Sequence, residues 1–250
     1  MFAAVARSTR NMFVAAARST RNAVETVAAS QTRGEVLARY RRLRAISVQH
    51  HSKAMKLVSR DVMLRNARRL ELAQGTLLIL DDMEDMNLVF DLSIHTAEPG
   101  RSRAVDRYAR SAKLPPGSDE ALVLDAMCRA RFALIEIERR HPSAGLIAKD
   151  RIRGTEHWLV DEGLESSAPD GFSLATRLFT PDSFSMTAGV FVPVTSALLY
   201  DVIAAVPQLH RKTPQESIDD RRFAEAFYRM AIAEGLTAQV RYQETPPEAE

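Results

Sequence analysis

The chain has 250 residues, of which 46% are hydrophobic and 26% are charged, a composition typical of a folded globular protein rather than a disordered one. Its single cysteine, Cys128, excludes an intrachain disulfide and favours a reducing compartment, so we expect a cytoplasmic protein. No run of about 18 uncharged apolar residues occurs, and the sequence therefore predicts no transmembrane segment.

The net charge of +2 conceals an uneven distribution along the chain. Residues 1–69 contain 15 Lys and Arg against three acids, whereas residues 70–250 contain 19 Lys and Arg against 29 acids. Such a split indicates an electrostatic role for the N-terminal part, for example towards nucleic acid, a membrane surface or an acidic partner. The simpler alternative is that this basic part neutralises the acidic part of its own chain or of a second copy.

The first 22 residues are a tandem repeat of 11 residues, a period of about three helical turns. A helix would place Phe2 and Phe13 on one stripe and four arginines on another, the pattern of a membrane-surface helix or a transit peptide. The alternative is a local duplication in a loosely ordered tail. We predict a weakly packed basic extension at residues 1–33 and a disordered tail at residues 241–250.

Helical spacing of apolar residues recurs through the N-terminal half, and Ser59 and Ser118 stand where helix N-caps are expected. This pattern predicts helices at Glu35–Leu57, Ser59–Gln74, Asp82–His95, Ala104–Ala112 and Ser118–Arg129. Between the second and third helices, the apolar run Thr76–Leu80 predicts a buried strand.

The period changes at about Phe132, where short apolar segments alternate with turns rich in Gly, Pro, Asp and Ser. The predicted strands are Phe132–Glu138, Leu146–Ala148, His157–Asp161, Ser173–Phe179 and Met186–Val192. They form a small antiparallel sheet or a partly open barrel at residues 131–194. Helices at Ser196–Val206 and Pro214–Leu236 complete the pattern.

The expected fold class is therefore α+β. We predict one domain over residues 34–240, composed of a helical part at 34–130, the strand-rich unit at 131–194 and C-terminal helices at 195–236.

A polar patch in the strand-rich unit is the main candidate for an interaction surface, and its members are Asp150, Arg153, Glu156, His157 and Asp161. Its histidine is of a type that acts as a general base, and its carboxylates are of a type that orients one. An alternative reading places His157 at a strand edge facing solvent. The sequence contains no nucleophile elbow and no glycine-rich phosphate loop.

Metal ligands are sparse along the chain. Asp91 and His95 lie four residues apart on one predicted helix face, but two ligands are only half of a usual site. We expect a solvated or capped pair there. The acids that begin this helix, including Asp81 and Asp82, are explained by capping and by the helix dipole. We therefore predict no catalytic residues, no metal and no cofactor.

Two basic helices precede the predicted sheet, and their arginines are able to track phosphates without reading sequence. The candidate nucleic-acid contacts are Arg39, Arg41, Arg42, Arg44, Arg65, Arg68 and Arg69.

The strand-rich unit carries a skeleton of strand and turn residues that includes an Asp-x-x-x-Gly corner at Asp150–Gly154 and an Ala-x-Arg-Leu strand at residues 175–178. This skeleton, together with the upstream segment ARRLELAQGTLLILDDMEDMNLVFDLSIH, resembles a group of alphaproteobacterial proteins of uncharacterised function. It resembles, more distantly, the strand-rich region that accompanies SEC-C motifs. The SEC-C cysteines are absent, so the resemblance implies a fold and neither a zinc site nor an activity.

These observations predict a noncatalytic cytoplasmic protein whose strand-rich unit serves as an interaction or regulatory module, with another protein as its partner. One alternative is a nucleic-acid-associated protein that uses the basic helices at residues 35–69. Another is a peripheral membrane protein anchored by residues 1–24. The sequence does not indicate an oligomeric state.

Overall fold

The computed structural model describes residues 31–79 and 83–237, and within them it confirms an α+β fold with a five-stranded antiparallel sheet and a small two-stranded one. The tandem repeat, the membrane anchor predicted at residues 1–24, the caps at 81–82 and the tail at 241–250 lie outside the described residues. The division into one domain with three parts stays a prediction.

The N-terminal half is helical, as the apolar spacing predicts. Its helices are α1 (Arg33–Met55), α2 (Arg60–Arg69), α3 (Met83–His95), α4 (Ala104–Ser111) and α5 (Asp119–Cys128). The side chains of Ser59 and Ser118 accept hydrogen bonds from the backbone N–H groups of Val62 and Ala121, so both act as the predicted N-caps. Thr32 begins α1 with a capping box that includes Glu35.

The segment after α2 differs from the prediction. The helix ends at Arg69 rather than at Gln74, and Glu71 adopts a left-handed conformation with φ of 63°. A hairpin of two short strands follows, β1 (Ala73–Gln74) and β2 (Leu77–Leu78). The expectation of a buried strand at Thr76–Leu80 is wrong, because Leu77 is 72% exposed.

The central sheet follows the predicted strands closely. Its members are β3 (Arg131–Arg140), β4 (Leu146–Asp150), β5 (Glu156–Leu159), β6 (Ser173–Phe179) and β7 (Met186–Pro193), with the short helix α6 (Glu162–Ser167) between β5 and β6. The strand order is β5-β4-β3-β6-β7, and all neighbours are antiparallel. The sheet is not closed into a barrel.

The sheet is nevertheless strongly curled. The first half of β3 pairs with β6 and its second half pairs with β4. An isolated parallel bridge joins Leu159 at the end of β5 to Ser185 just before β7. One apolar cluster contains Ile135, Ile137 and Leu174 and is capped by Leu164 of α6.

The C-terminal segment contains α7 (Ser196–Ala205), a 3₁₀ turn (Pro207–Leu209), α8 (Pro214–Ile218) and α9 (Arg221–Ala233). The single helix expected at Pro214–Leu236 is therefore two helices. The break arises because the Asp220 side chain accepts a hydrogen bond from the backbone N–H of Arg222 and starts a new helix.

Helices cover the outer surface of the sheet in two groups. Phe132 and Leu134 of β3 pack in one cluster with residues of α7 and α9, such as Phe227. Ile147 of β4 and Trp158 of β5 belong to a second cluster with residues of α1 and α5. This face of β3, β4 and β5 is therefore covered by the chain's own helices.

Candidate anion-binding site

A buried ion pair links α3 to strand β6 of the sheet. Arg177 on β6 donates from Nε to Asp91 Oδ1 at 2.7 Å and from Nη2 to Asp91 Oδ2 at 2.8 Å. The hydroxyl of Tyr228 on α9 donates to Asp91 Oδ2 at 3.0 Å. The two charged side chains are 6% and 2% exposed. A charge this deep in the protein is tolerated because the pairing is bidentate and further hydrogen-bonded.

The pairing uses only part of the Arg177 guanidinium. Among the residues that the structure describes, its third nitrogen, Nη1, has no hydrogen-bond partner. The guanidinium carbon lies 6.0 Å from the centre of the Phe132 ring, within cation–π range. Arg177 lines an open cavity of about 590 Å³. The network thus fixes the Arg177 guanidinium at the cavity wall and leaves its Nη1 donor free of described partners.

We call this space the arginine cavity. It lies where the ends of α3 and α5 and the starts of α4, β3 and α9 meet. Six arginines line it, namely Arg101, Arg103, Arg129, Arg131, Arg177 and Arg221. Three carboxylates line it as well, those of Asp106, Asp219 and Asp220. Positive charge therefore exceeds negative charge around the cavity.

All three carboxylates are already paired. Asp106 accepts from Arg103, Asp219 accepts from Arg153, and Asp220 accepts from Lys212 and Arg222. The hydrogen bonds from Arg222 and Lys212 hold the pKa of the Asp220 carboxyl well below its usual range.

Two of the lining arginines, by contrast, have no side-chain partner in the part of the chain that the structure describes. The guanidinium groups of Arg101 and Arg131 are exposed and make no hydrogen bond or ion pair with any residue in 31–79 or 83–237. Together with Nη1 of Arg177, they leave the arginine cavity with three sets of free N–H donors. Guanidinium forks of this kind match carboxylate and phosphate oxygens.

A histidine pair, His51 and His95, lies at the cavity wall, where His95 is a lining residue. His51 Nδ1 donates to the Ser47 carbonyl at 2.8 Å, because a carbonyl oxygen only accepts. His51 Nε2 and His95 Nε2 are 3.3 Å apart. Since a neutral His51 carries its proton on Nδ1, its Nε2 accepts and His95 Nε2 donates. His95 Nδ1 is then an acceptor, and it is buried without a partner among the described residues.

Both histidines are held neutral. Burial lowers the pKa of His51 from 6.5 to about 4. Burial, with Arg177 and His51 nearby, lowers the pKa of His95 well below its usual value. His95 lines the arginine cavity on one side and a smaller cavity of about 210 Å³ on the other.

Residues 35–241 match the model of DUF7986, a family of unknown function. The chain belongs to this family. No curated protein and no solved structure matches the chain. The family description brings no activity, and it shows no link to SEC-C motifs.

The polar patch predicted from the sequence is spread over separate places in this DUF7986 chain. Asp150 accepts from the backbone N–H groups of Ile152 and Arg153 and from the Arg153 side chain, so it builds the corner after β4. Asp161 caps α6 and accepts from Thr187 at 3.0 Å. Burial raises the pKa of Asp161. These carboxylates stabilise turns and do not converge on one ligand position.

His157 and Glu156 lie on β5, at the edge of the sheet. The two ring nitrogens of His157 are within hydrogen-bond distance of Thr155 Oγ1, at 3.1 Å, and Ser185 Oγ, at 3.3 Å. Burial lowers the pKa of His157. Glu156 is exposed. Of the predicted patch, Arg153 comes nearest to the arginine cavity, since it holds Asp219 on the cavity wall.

Six of the seven predicted nucleic-acid arginines contact their own chain. The contacts are Arg39 with Asp119 and Asp182, Arg41 with Glu162, Arg42 with Asp119, Arg44 with the Thr187 carbonyl, Arg68 with the Gly75 carbonyl, and Arg69 with Glu98 and Glu225. Arg65 makes no such contact with a described residue. Much of the basic charge in α1 therefore neutralises acids elsewhere in the same chain.

The sequence-based search missed the main residues of this site. It expected Asp91 and His95 to be solvated or capped, and that expectation is wrong, because both are 4% exposed. It did not select Arg177, although an arginine inside the apolar strand SLATRLF is a signal that a buried partner exists. Within the described residues, no group of three His, Cys, Asp or Glu side chains is arranged to hold a metal ion.

Proposed function

We propose that this DUF7986 protein binds a small molecule with an anionic group in the arginine cavity, and that it serves as a noncatalytic regulatory or interaction protein. One observation carries the proposal. All three carboxylates on the cavity wall are paired, whereas Arg101, Arg131 and Arg177 keep free donors. An excess of free guanidinium donors is suited to a phosphate or carboxylate group.

The size and preorganisation of the cavity support this proposal. Its volume of about 590 Å³ lies within the usual range for small-molecule sites, about 300–1,000 Å³. Asp91 holds Arg177 by two hydrogen bonds, and Asp106 and the Cys128 carbonyl hold Arg103. A ligand therefore meets two side chains already fixed in place, which lowers the entropic cost of binding.

A noncatalytic role is favoured by the state of the groups able to move a proton. Burial lowers the pKa of His95 and raises the pKa of Cys128, and both side chains line the arginine cavity. His95 Nδ1 is shielded from solvent. General acid–base catalysis works best when the pKa of the group lies near the working pH.

The nucleic-acid alternative rests on the basic helices. It is weakened because six of its seven arginines contact acids or carbonyl groups of the same chain. The membrane-anchor alternative concerns residues outside the described part. Within the described part, no helix is long and apolar enough to cross a membrane.

Three finer points are part of the proposal. A cytoplasmic location is supported by the single cysteine, Cys128. The alphaproteobacterial group and the distant relation to SEC-C-associated regions are supported by the skeleton at residues 131–194 alone.

Thermal unfolding in the presence of inorganic phosphate tests the proposal. A ligand that binds only the folded state raises the melting temperature, with about 2.7 kcal/mol of stabilisation at a hundredfold excess over Kd. We expect phosphate to stabilise the full chain more than chloride does at equal ionic strength. The double variant Arg101→Gln/Arg131→Gln should lose this effect.

The matched control is Arg41→Gln, which removes an exposed arginine that does not line the cavity. It should retain the phosphate effect. Equal stabilisation of the cavity double variant and of the wild type would overturn the proposal.

A further inference from the structure

A second cavity adjoins the arginine cavity. Its volume is also about 590 Å³, and it lies between α2, the end of α3 and the loop that leads to α4. Thr96, Ala97 and Arg101 line both cavities. The two spaces therefore meet along the loop after α3, with Arg101 at their junction.

The second cavity is basic as well. Four arginines line it, Arg65, Arg69, Arg101 and Arg107, against two carboxylates, Asp61 and Glu98. Arg107 is fixed in place, because it donates to the carbonyl groups of Ser102 and Leu57. Arg65 has no hydrogen-bond or ion-pair partner in the described part of the chain.

Glu98 is not available to offset the free arginines of the second cavity, because both of its carboxylate oxygens already pair with other arginines. It pairs with Arg69, which lines the second cavity, and with Arg221 at 3.0 Å, which lines the arginine cavity. The hydrogen bond from Arg69 lowers the pKa of Glu98. The acid thus joins the two cavity walls and stays ionised.

We infer that the ligand is an elongated small molecule with two separated anionic groups, one held by Arg131 and Arg177 and the other by Arg65, with Arg101 between them. This inference rests on the proposed function and adds the class of ligand. A compound with a single phosphate or carboxylate leaves the free donors of one cavity unused. Two anionic groups on one molecule engage both cavities at the entropic cost of a single association.

Calorimetric titration of the full chain with two sets of probes tests the inference. One set is a series of linear bisphosphonates of increasing chain length, and the other is the matching alkyl monophosphonates. We expect one range of lengths to bind about tenfold or more tightly than its monophosphonate, which is the gain from one additional charge-assisted contact.

Variants assign this gain to the second cavity. Arg65→Gln should remove the advantage of the bisphosphonate and leave the monophosphonate affinity unchanged, whereas Arg131→Gln should weaken both probes. Arg60→Gln is the matched control, because Arg60 is exposed on the same helix and lines neither cavity. It should change neither affinity by more than about twofold.

The outcomes separate this inference from the proposed function. The first outcome is monophosphonate binding that depends on Arg131, while the bisphosphonates bind no more tightly or their gain survives Arg65→Gln. This outcome overturns the two-anion ligand and leaves the proposed function standing. Absence of binding by both sets overturns both. A single-stranded oligonucleotide that displaces the best bisphosphonate and binds more tightly would replace the small molecule with nucleic acid.

Discussion

Arg177 and Asp91 form a buried bidentate pair that joins strand β6 to α3, with Nε···Oδ1 and Nη2···Oδ2 distances of 2.7 and 2.8 Å. Tyr228 brings α9 to the same carboxylate. Burial disfavours a charged Arg177, but the Asp91 carboxylate outweighs it and raises the pKa of the guanidinium. Arg177 consequently stays charged, and the contacts of Asp91 tie α3, β6 and α9 together.

Removing one partner of this pair should be costly. In Asp91→Asn the Arg177 charge is left uncompensated in the interior, and we expect the free energy of unfolding to fall by about 3–5 kcal/mol. Tyr228→Phe removes one hydrogen bond to the same carboxylate and should cost about 1–2 kcal/mol. Urea unfolding of the single variants measures both effects.

A double variant separates the role of the pair in stability from its role in binding. Asp91→Leu/Arg177→Met replaces both charges with apolar groups, and such replacements are often neutral or stabilising. We expect it to be more stable than Asp91→Asn and to have lost phosphate binding. A double variant that still binds phosphate as the wild type does would show that Arg177 does not contact the ligand.

The histidine pair at the cavity wall predicts a dependence of stability on pH. Burial lowers the pKa of His51 from 6.5 to about 4, so the unfolded chain binds a proton more readily than the folded one. The contribution of His51 to the free energy of unfolding should therefore be complete above about pH 6.5 and decrease as the pH falls towards 4. The loss from His51 is on the order of 3 kcal/mol, and His95 acts in the same direction.

The measurement is the urea midpoint between about pH 7 and pH 5, a range above that in which most carboxylates titrate. His51→Gln should flatten this slope even though it lowers stability at neutral pH. His210→Gln, which changes an exposed histidine, is the control and should keep the wild-type slope. Equal slopes for His51→Gln and the wild type would contradict the prediction.

A glycine in the β3–β4 turn predicts a local steric effect. Gly145 has φ of 79°, and a Cβ atom there would lie 2.4 Å from the Leu159 carbonyl oxygen. Gly171 has nearly the same φ, 80°, but open space around it. We expect Gly171→Ala to cost about 1–2 kcal/mol from backbone strain alone. Gly145→Ala should cost clearly more, because a backbone carbonyl must also move.

Thermal or urea unfolding of these two variants isolates the close approach, since the backbone conformation is matched. A similar cost for both would mean that β5 shifts easily away from the turn. That result would contradict the tight packing of the β3–β4 turn against β5.

Local signals explain how far the sequence could predict the fold. Turn residues such as Pro142–Gly145 separate the strands, and the hydroxyl side chains of Ser59 and Ser118 cap α2 and α5 as expected. The break before α9 was missed because Asp220 lies inside an otherwise continuous helical pattern. The apolar run at Thr76–Leu80 predicts a buried strand, but Leu77 lies in an exposed hairpin. An apolar run alone does not indicate whether another element covers that run.

The site could not be predicted in the same way. Arg177 and Asp91 are 86 residues apart, and Tyr228 is 137 residues from Asp91, so no local spacing connects them. The sequence does carry one hint, which is a charged residue inside an apolar strand. Such a residue requires a buried counter-charge, but only the tertiary structure identifies Asp91 as that partner.

The ion pairs of α1 give a prediction about the uneven charge of the chain. Arg39 is 30% exposed and contacts two acids, Asp119 at 2.7 Å and Asp182 at 2.8 Å, whereas Arg41 is 66% exposed and contacts Glu162. If the basic helix α1 serves to hold the acidic part of the chain, Arg39→Gln should lower the free energy of unfolding by about 1–2 kcal/mol and Arg41→Gln by less than about 1 kcal/mol.

Urea unfolding midpoints at low and at high salt measure both losses of stability. The cost of Arg39→Gln should shrink only partly with salt, because its contacts are half-buried. Equal and fully screened costs would mean that α1 gains little from these pairs, and its arginines would then be available for an external acidic partner.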